Sequence, residues 1–265
     1  MSNWSLYAAT RVEALGAGTG EGVTHTASLN AKAAYTTIGT TGFAYSGFHL
    51  SVVAVTSARF AIDIAVTDNA AERIIIENLF LDGSNSTNEG SMTLWVPIQI
   101  PSGSVVRVRA AASASSATLR VMVVGYAADY PHAGRFSRLV ALPAFTDLPD
   151  PNTAVDLTGT TFTAWTEITA SSSVNAAALY LSGSTDGTTT RTATRLLIDI
   201  GTGAAGSEVR RYLWQTGQTT NAVGTAIHGP IWCSIASGTR LAFRAQCATA
   251  GVAQPYAINV MALVP

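Results

Sequence analysis

The feature that most constrains this chain is an internal duplication. Arg11-Val12-Glu13-Ala14-Leu15 is echoed by Arg138-Leu139-Val140-Ala141-Leu142, and Ile62-Asp63-Ile64 by Ile198-Asp199-Ile200. Beyond each Ile-Asp-Ile stands a glutamate, Glu72 or Glu208, after Ala70-Ala71 or Ala204-Ala205. Ile100-Pro101-Ser102-Gly103-Ser104 matches Ile235-Ala236-Ser237-Gly238-Thr239, Arg109-Ala110 falls on Arg244-Ala245, and Val121-Met122 on Val260-Met261. Chance supplies one such match, but not a colinear series through 265 residues. A typical domain has about 100–150 residues. The expected organisation is therefore two domains, 1–130 and 138–265, with a linker at 131–137 containing Pro131 and Gly134.

Each half reads as strands. In Phe60-Ala61-Ile62-Asp63-Ile64-Ala65-Val66 the large apolar side chains fall on one face and Ala and Asp on the other, and Leu196, Ile198 and Ile200 repeat the pattern around Asp199. Val106 and Val108 alternate with Arg107 and Arg109, and Leu241 and Phe243 with Arg240 and Arg244. Pro97 marks the run Leu94 to Ile100 as an edge strand or bulge. The closing runs, Leu119 to Val124 and Ala257 to Leu263, are apolar on both faces, which predicts a central strand in each half. Asp68 to Arg73 could form one helical turn, but Ile74-Ile75-Ile76 returns the chain to strand. Many short strands separated by turn clusters predict an all-β chain of two tandem, internally duplicated β-sandwich domains of jelly-roll type.

Composition narrows the function. Charged residues make up 12% of the chain, against about 25% in an average soluble domain. Such a surface is cheap for another protein to cover. Net charge is −1, and the 15 Lys and Arg are scattered, which argues against a nucleic-acid partner. No run approaches the ~18 apolar residues of a spanning helix, and Met1 to Tyr7 has no charged start followed by an apolar stretch. No membrane partner and synthesis in the cytoplasm are expected. Cys233 and Cys247 match no zinc spacing; a hairpin turn at Ser237-Gly238 would set Cys233 opposite residue 242, disfavouring a bridge.

A search for chemistry finds no site. His25, His49, His132 and His228 are isolated, no nucleophile elbow occurs, and the stretch Gly16 to Gly22 lacks the lysine of a phosphate loop. The acidic loop Asp82 to Gly90 fails the spacing of a calcium loop, and its counterpart, Thr216 to Asn221, has no acid. Asn85-Ser86-Thr87 has the form of a glycosylation sequon, without a secretion signal to make it count. Asp63 and Asp199 are expected on the outer faces of matching strands, each paired across to Arg109 or Arg244. A feature made twice in one chain serves the fold more economically than two active sites do. No catalytic, cofactor-binding or metal-binding residue is assigned, no cofactor is expected, and the chain is read as no enzyme. Trp4, Trp95, Trp165, Trp214 and Trp232 are assigned to packing, with Trp214 falling near Asn78 and Trp232 on Pro97; if exposed, they would suit stacking on sugar rings.

The short polar N-terminus, the duplicated Ala/Thr/Ser/Gly-rich sandwiches and segments such as Ile235-Ala236-Ser237-Gly238-Thr239-Arg240 resemble virion proteins of tailed bacteriophages. The resemblance implies a structural protein made in the host cytoplasm and located in the virion. There it would decorate or cement the capsid, or belong to the head–tail or tail apparatus. Its implied partners are a major capsid protein or tail and connector subunits, and its implied state is a homo-oligomer, a trimer or hexamer. The alternative is a carbohydrate- or receptor-binding module of a tail or baseplate.

Overall fold

The computed structural model describes residues 9–19, 21–68, 71–83, 90–127, 134–143, 154–157, 159–184, 194–218, 227–248 and 254–265. The first three residues of the expected linker, 131–133, most of the acidic loop with its sequon, and Trp4 lie outside them, His132 among the three. The first half contributes β1 (Arg11–Leu15), β2 (Val23–Thr26), β3 (Ser28–Leu29), β4 (Thr36–Thr40) and β5 (Gly47–Ala54). It continues with β6 (Arg59–Asp68), β7 (Ala71–Asp82), β8 (Ser91–Val96), β9 (Val105–Ala112) and β10 (Thr118–Ala127). The second half contributes β11 (Arg138–Leu142), β12 (Ala154–Leu157), β13 (Thr166–Thr169), β14 (Ala176–Ser184) and β15 (Thr194–Thr202). Then follow β16 (Val209–Gln218), β17 (Ile227–Ile235), β18 (Leu241–Cys247) and β19 (Gln254–Val264). The only helical element described is the 3-10 turn Ala17–Thr19.

Both halves are jelly rolls. In the first, β1-β10-β5-β8 forms one sheet and β4-β9-β6-β7 the other; in the second the sheets are β11-β19-β14-β17 and β13-β18-β15-β16. Taking the eight principal strands of each half in order, this is first-eighth-third-sixth against second-seventh-fourth-fifth, two nested Greek keys. Paired residues carry the repeat into detail. Thr36 pairs with Val108 and Thr166 with Phe243, both followed by a bulge. The backbone N–H of Thr10 donates to Ala127, and that of Ser137 to Val264. Leu15 pairs with Val123 and Leu142 with Val260. The ladders thus set Val123, not Val121, on Val260, two residues from the match read in the sequence.

The turn Ser102-Gly103 and its counterpart Ser237-Gly238 also coincide, with glycine φ of 78° and 85°. That left-handed conformation favours glycine over any residue with a Cβ. These turns do not close hairpins within a sheet. β8 and β9 lie in opposite sheets, as do β17 and β18, so each turn carries the chain across the sandwich. Cys233 therefore faces no partner near residue 242; it and Cys247 are not joined in a disulfide and stand on the two walls of the second core.

The halves are continuous. β7 pairs in parallel with β11, Leu139 opposite Ile76 and Val140 opposite Glu77, which joins one sheet of each sandwich into a ten-stranded sheet. The β11-β19-β14 face is then buried on both sides. Val140, Leu142, Leu179, Leu181 and Val260 enter the second core. Leu139, Ala178, Tyr180, Met261 and Leu263, pointing the other way, enter the first. Both closing strands are central, as expected, β10 between β1 and β5 and β19 between β11 and β14, but they are covered differently. β19 is covered on both faces, whereas β10 buries Leu119, Val121 and Val123 and leaves Arg120, Met122 and Val124 half-buried.

Candidate interaction surface

The polar constellations of the two halves are built alike. Asp63 stands opposite Arg109 on β6 and β9, and Asp199 opposite Arg244 on β15 and β18. In the first half Arg109 Nε donates to Asp63 Oδ2 at 2.9 Å, while Lys32 Nζ and the backbone N–H of Asn78 each donate to Oδ1 at 2.9 Å. Asn78 holds φ of 57° at an irregularity of the β6–β7 ladder, where its amide can turn to the carboxylate. In the second half Arg244 donates from Nε and Nη2 to Asp199 Oδ2 at 3.0 and 2.9 Å, and Arg210 Nε donates to Oδ1 at 2.8 Å. Each pairing arginine is roofed by aromatic rings. Arg109 lies 4.7 Å from the Tyr35 centroid, and Arg244 lies 4.8 and 4.5 Å from Phe162 and Trp165.

The expected cross-strand pairs are thus present, with one difference. The carboxylates are not on open outer faces; both are buried under the arginines and their aromatic roofs. Burial pulls the Lys32 ammonium below the usual lysine range, against the upward pull of Asp63. Apart from Lys32, which comes from the β3–β4 connection, the donors to these carboxylates lie on strands of the same sheet. The arrangement ties strands together.

The histidines divide by environment. His25 is buried, its Nε2 accepting from the Ala110 N–H at 3.0 Å, which leaves Nδ1 to donate to Thr36 Oγ1 at 2.9 Å. The second half does the same task with Thr163, whose hydroxyl accepts from Ala245 N–H. Nothing in the sequence marked His25 as a core residue, because its partner lies 85 residues away. Burial lowers its pKa, and those of His49 and His228, below the usual histidine value. His49 meets Trp95 and Tyr126 on the outer face of the first sandwich. His228 stacks on Tyr212 and Trp214 and shares a hydrogen bond through Nε2 with the Tyr212 hydroxyl. Among the described residues no three His, Cys, Asp or Glu side chains converge as a metal site. The glycine-rich stretch is a backbone contact: a Cβ on Gly22, at φ 93°, would lie 2.9 Å from the Val121 carbonyl oxygen.

The surface is where the halves part company. Leu139 is 0% exposed against the first sandwich; Val12, its counterpart on β1, is 59% exposed. Tyr180 and Met261 are likewise buried, while the residues at their positions, His49 and Val124, are half-buried. The first sandwich closes on the second with its β7–β8 edge. Tyr180 donates its hydroxyl to the Trp95 carbonyl at 2.7 Å, Arg73 donates to the Ser137 carbonyl at 2.8 Å, and β8 touches β17. The equivalent edge of the second sandwich, β16 and β17, carries Val209, Leu213 and Trp232, which are 60%, 43% and 47% exposed. Trp95 is half-buried, Trp214 is in the second core, and Trp165 roofs Arg244, so the tryptophans serve three different purposes.

No family model matches the chain, and no curated protein matches it. Among solved structures it is similar to one described as the crystal structure of the STIV MCP, with 7% identity, a TM-score of 0.39, and 96% of this chain and 97% of that one covered. A second is a structure of infectious bursal disease virus Gt strain, with 12% identity, a TM-score of 0.25, and 97% and 73% coverage. Scores of this size carry no argument about function.

Proposed function

We propose that the chain is a non-enzymatic structural subunit of a virion, of the tailed-bacteriophage kind its sequence resembles, which packs against other virion subunits and decorates or stabilises the capsid. The observation that carries this reading is the placement of exposed apolar side chains. Val12 lies on β1 and Val209 and Leu213 on β16, the strands with an open ladder edge at the two ends of the paired sandwiches. Apolar residues gathered on strand edges suit burial by another protein. The low charge of the chain lowers the desolvation cost of covering it. The partners proposed are a major capsid protein or tail and connector subunits, with further copies of the chain in a trimer or hexamer. The same proposal takes 1–130 and 138–265 as the units of the duplication.

The test is a density gradient of purified particles followed by quantitative mass spectrometry. A fixed ratio of this chain to the major shell protein is expected. Finding it only in the unassembled fraction would overturn the proposal. One observation favours a second reading, glycan recognition: Trp95, His49 and Tyr126 gather on a half-buried outer face, with centroids 5.1 to 5.7 Å apart. Binding on a glycan array that is lost in Trp95→Ala would support that reading over the first.

A further inference from the structure

The two sandwiches meet through a pair of surfaces that the chain contains twice and uses once within itself. β7 gives its outer ladder edge to β11, and the β7–β8 edge covers the outer face of the β11-β19-β14 sheet. The counterparts of those two surfaces are β16 with β17, and the outer face of the β1-β10-β5 sheet. Among the described residues β16 pairs only with β15 and β1 only with β10, so each leaves one ladder edge open. Val12 is exposed where its counterpart Leu139 is buried, and Val209 and Leu213 are exposed where Arg73 and Glu77 are half-buried.

We propose that a second copy of this chain supplies the missing contact: the β16–β17 edge of one copy docks on the outer β1-β10-β5 face of the next, with β16 parallel to β1. The internal junction fixes the register. Leu139 opposite Ile76 becomes Val12 opposite Tyr212, and Val140 opposite Glu77 becomes Glu13 opposite Leu213. The equivalence of Ile76 and Tyr212 follows from their partners on the neighbouring strand, Ile64 and Ile200. The half-buried side chains of His49, Val124 and Tyr126 then take the covered places that Tyr180, Met261 and Leu263 hold in the second half. Strand addition satisfies the open backbone edges, and the side chains of the outer face provide the specificity.

Such an interface is heterologous, donor edge to acceptor face. It propagates in one direction and closes into a ring only if the rotation per chain allows it. The inference stands on the duplication alone. A chain that associates this way yet is absent from particles would leave it intact while removing the virion reading.

The experiment is the solution mass of the full chain, by size exclusion with light scattering, for wild type and four variants. Wild type is expected to exceed the 27.4 kDa of one chain. Val12→Glu and Leu213→Glu are each expected to weaken association by about 30-fold or more, as loss of a central contact does. Leu29, on β3, and Val55, whose backbone bonds to Thr118 at the opposite end of β10 from the Val12–Tyr126 pair, are exposed apolar positions away from the proposed contact; Leu29→Glu and Val55→Glu are expected to keep the wild-type mass. Mixing Val12→Glu, which retains its donor edge, with Leu213→Glu, which retains its acceptor face, should restore one interface and yield a dimer. A Val12→Cys/Tyr212→Cys chain should form disulfide-linked multimers under oxidation, a readout that holds if a glutamate variant misfolds. A monomeric wild type at high concentration, control variants that dissociate as fully as the edge variants, or a mixture that stays monomeric would each overturn the proposal.

Discussion

Replacing Arg244 by Met tests whether the duplicated ion clusters hold the fold. The substitution removes two charge-assisted hydrogen bonds to Asp199 at 3.0 and 2.9 Å and two cation–π contacts, leaving Arg210 as the carboxylate's side-chain cation. Asp199 is completely buried, so water cannot replace what is lost. Breaking a buried pair from one side costs about 3–5 kcal/mol, most of it from the carboxylate left behind. At roughly 2.1 cal/mol/K per residue, the 265-residue chain has an unfolding entropy near 0.56 kcal/mol/K, and the loss lowers Tm by about 5–9 °C. Arg107→Met provides the contrast. It breaks the Arg107–Glu72 pair, at 3.4 Å with both side chains more than a third exposed, and should cost about 1 kcal/mol or less. Urea denaturation read as a shift of midpoint at constant m-value measures both. The double variant Asp199→Asn/Arg244→Met should cost less than the sum of its parts, because no unpaired carboxylate remains. If Arg244→Met and Arg107→Met prove equally mild, the clusters are not what ties these strands together.

The asymmetry between the halves yields a paired test of folding. Leu139→Ala should destabilise the monomer by about 2–4 kcal/mol, since Leu139 is fully buried, whereas Val12→Ala should change it by only about 0.5 kcal/mol; denaturant melts at low protein concentration compare them. The buried histidines set a pH dependence. His25 titrates lower folded than unfolded, so its neutral form stabilises the fold above the unfolded pKa of about 6.5, and this contribution is lost as pH falls below that value. Tm should therefore fall between pH 7.5 and pH 5, and part of that slope should vanish in His25→Asn. An NMR titration placing the His25 pKa above 6.5 would refute the assignment of Nε2 as acceptor to Ala110.

The Asp–Arg pairs are legible in the amino-acid sequence because a strand with period-two alternation fixes which residues share a face, and a colinear repeat shows which strands correspond. Asp63 with Arg109, and Asp199 with Arg244, need no more than that. The crossing turns at Gly103 and Gly238 are legible only in part. Their residues announce a turn, but a tight turn within one sheet and a turn between sheets use the same glycine conformation. His25 is not legible at all, because its hydrogen bond spans the sandwich and has no local signature.

What the sequence determined by itself was the repeated unit: all-β, alternating, duplicated, with its charges placed to bind neighbouring strands. What only the tertiary structure decided was the environment of equivalent surfaces. β10 and β19 both read as apolar on two faces, yet one is covered on both and the other on one. Alternation encodes which way a side chain points, while the partner that meets it is set by how sheets join over long distances in the chain. The parallel pairing of β7 with β11 made that choice for the second sandwich, covering Leu139 and leaving Val12 in solvent.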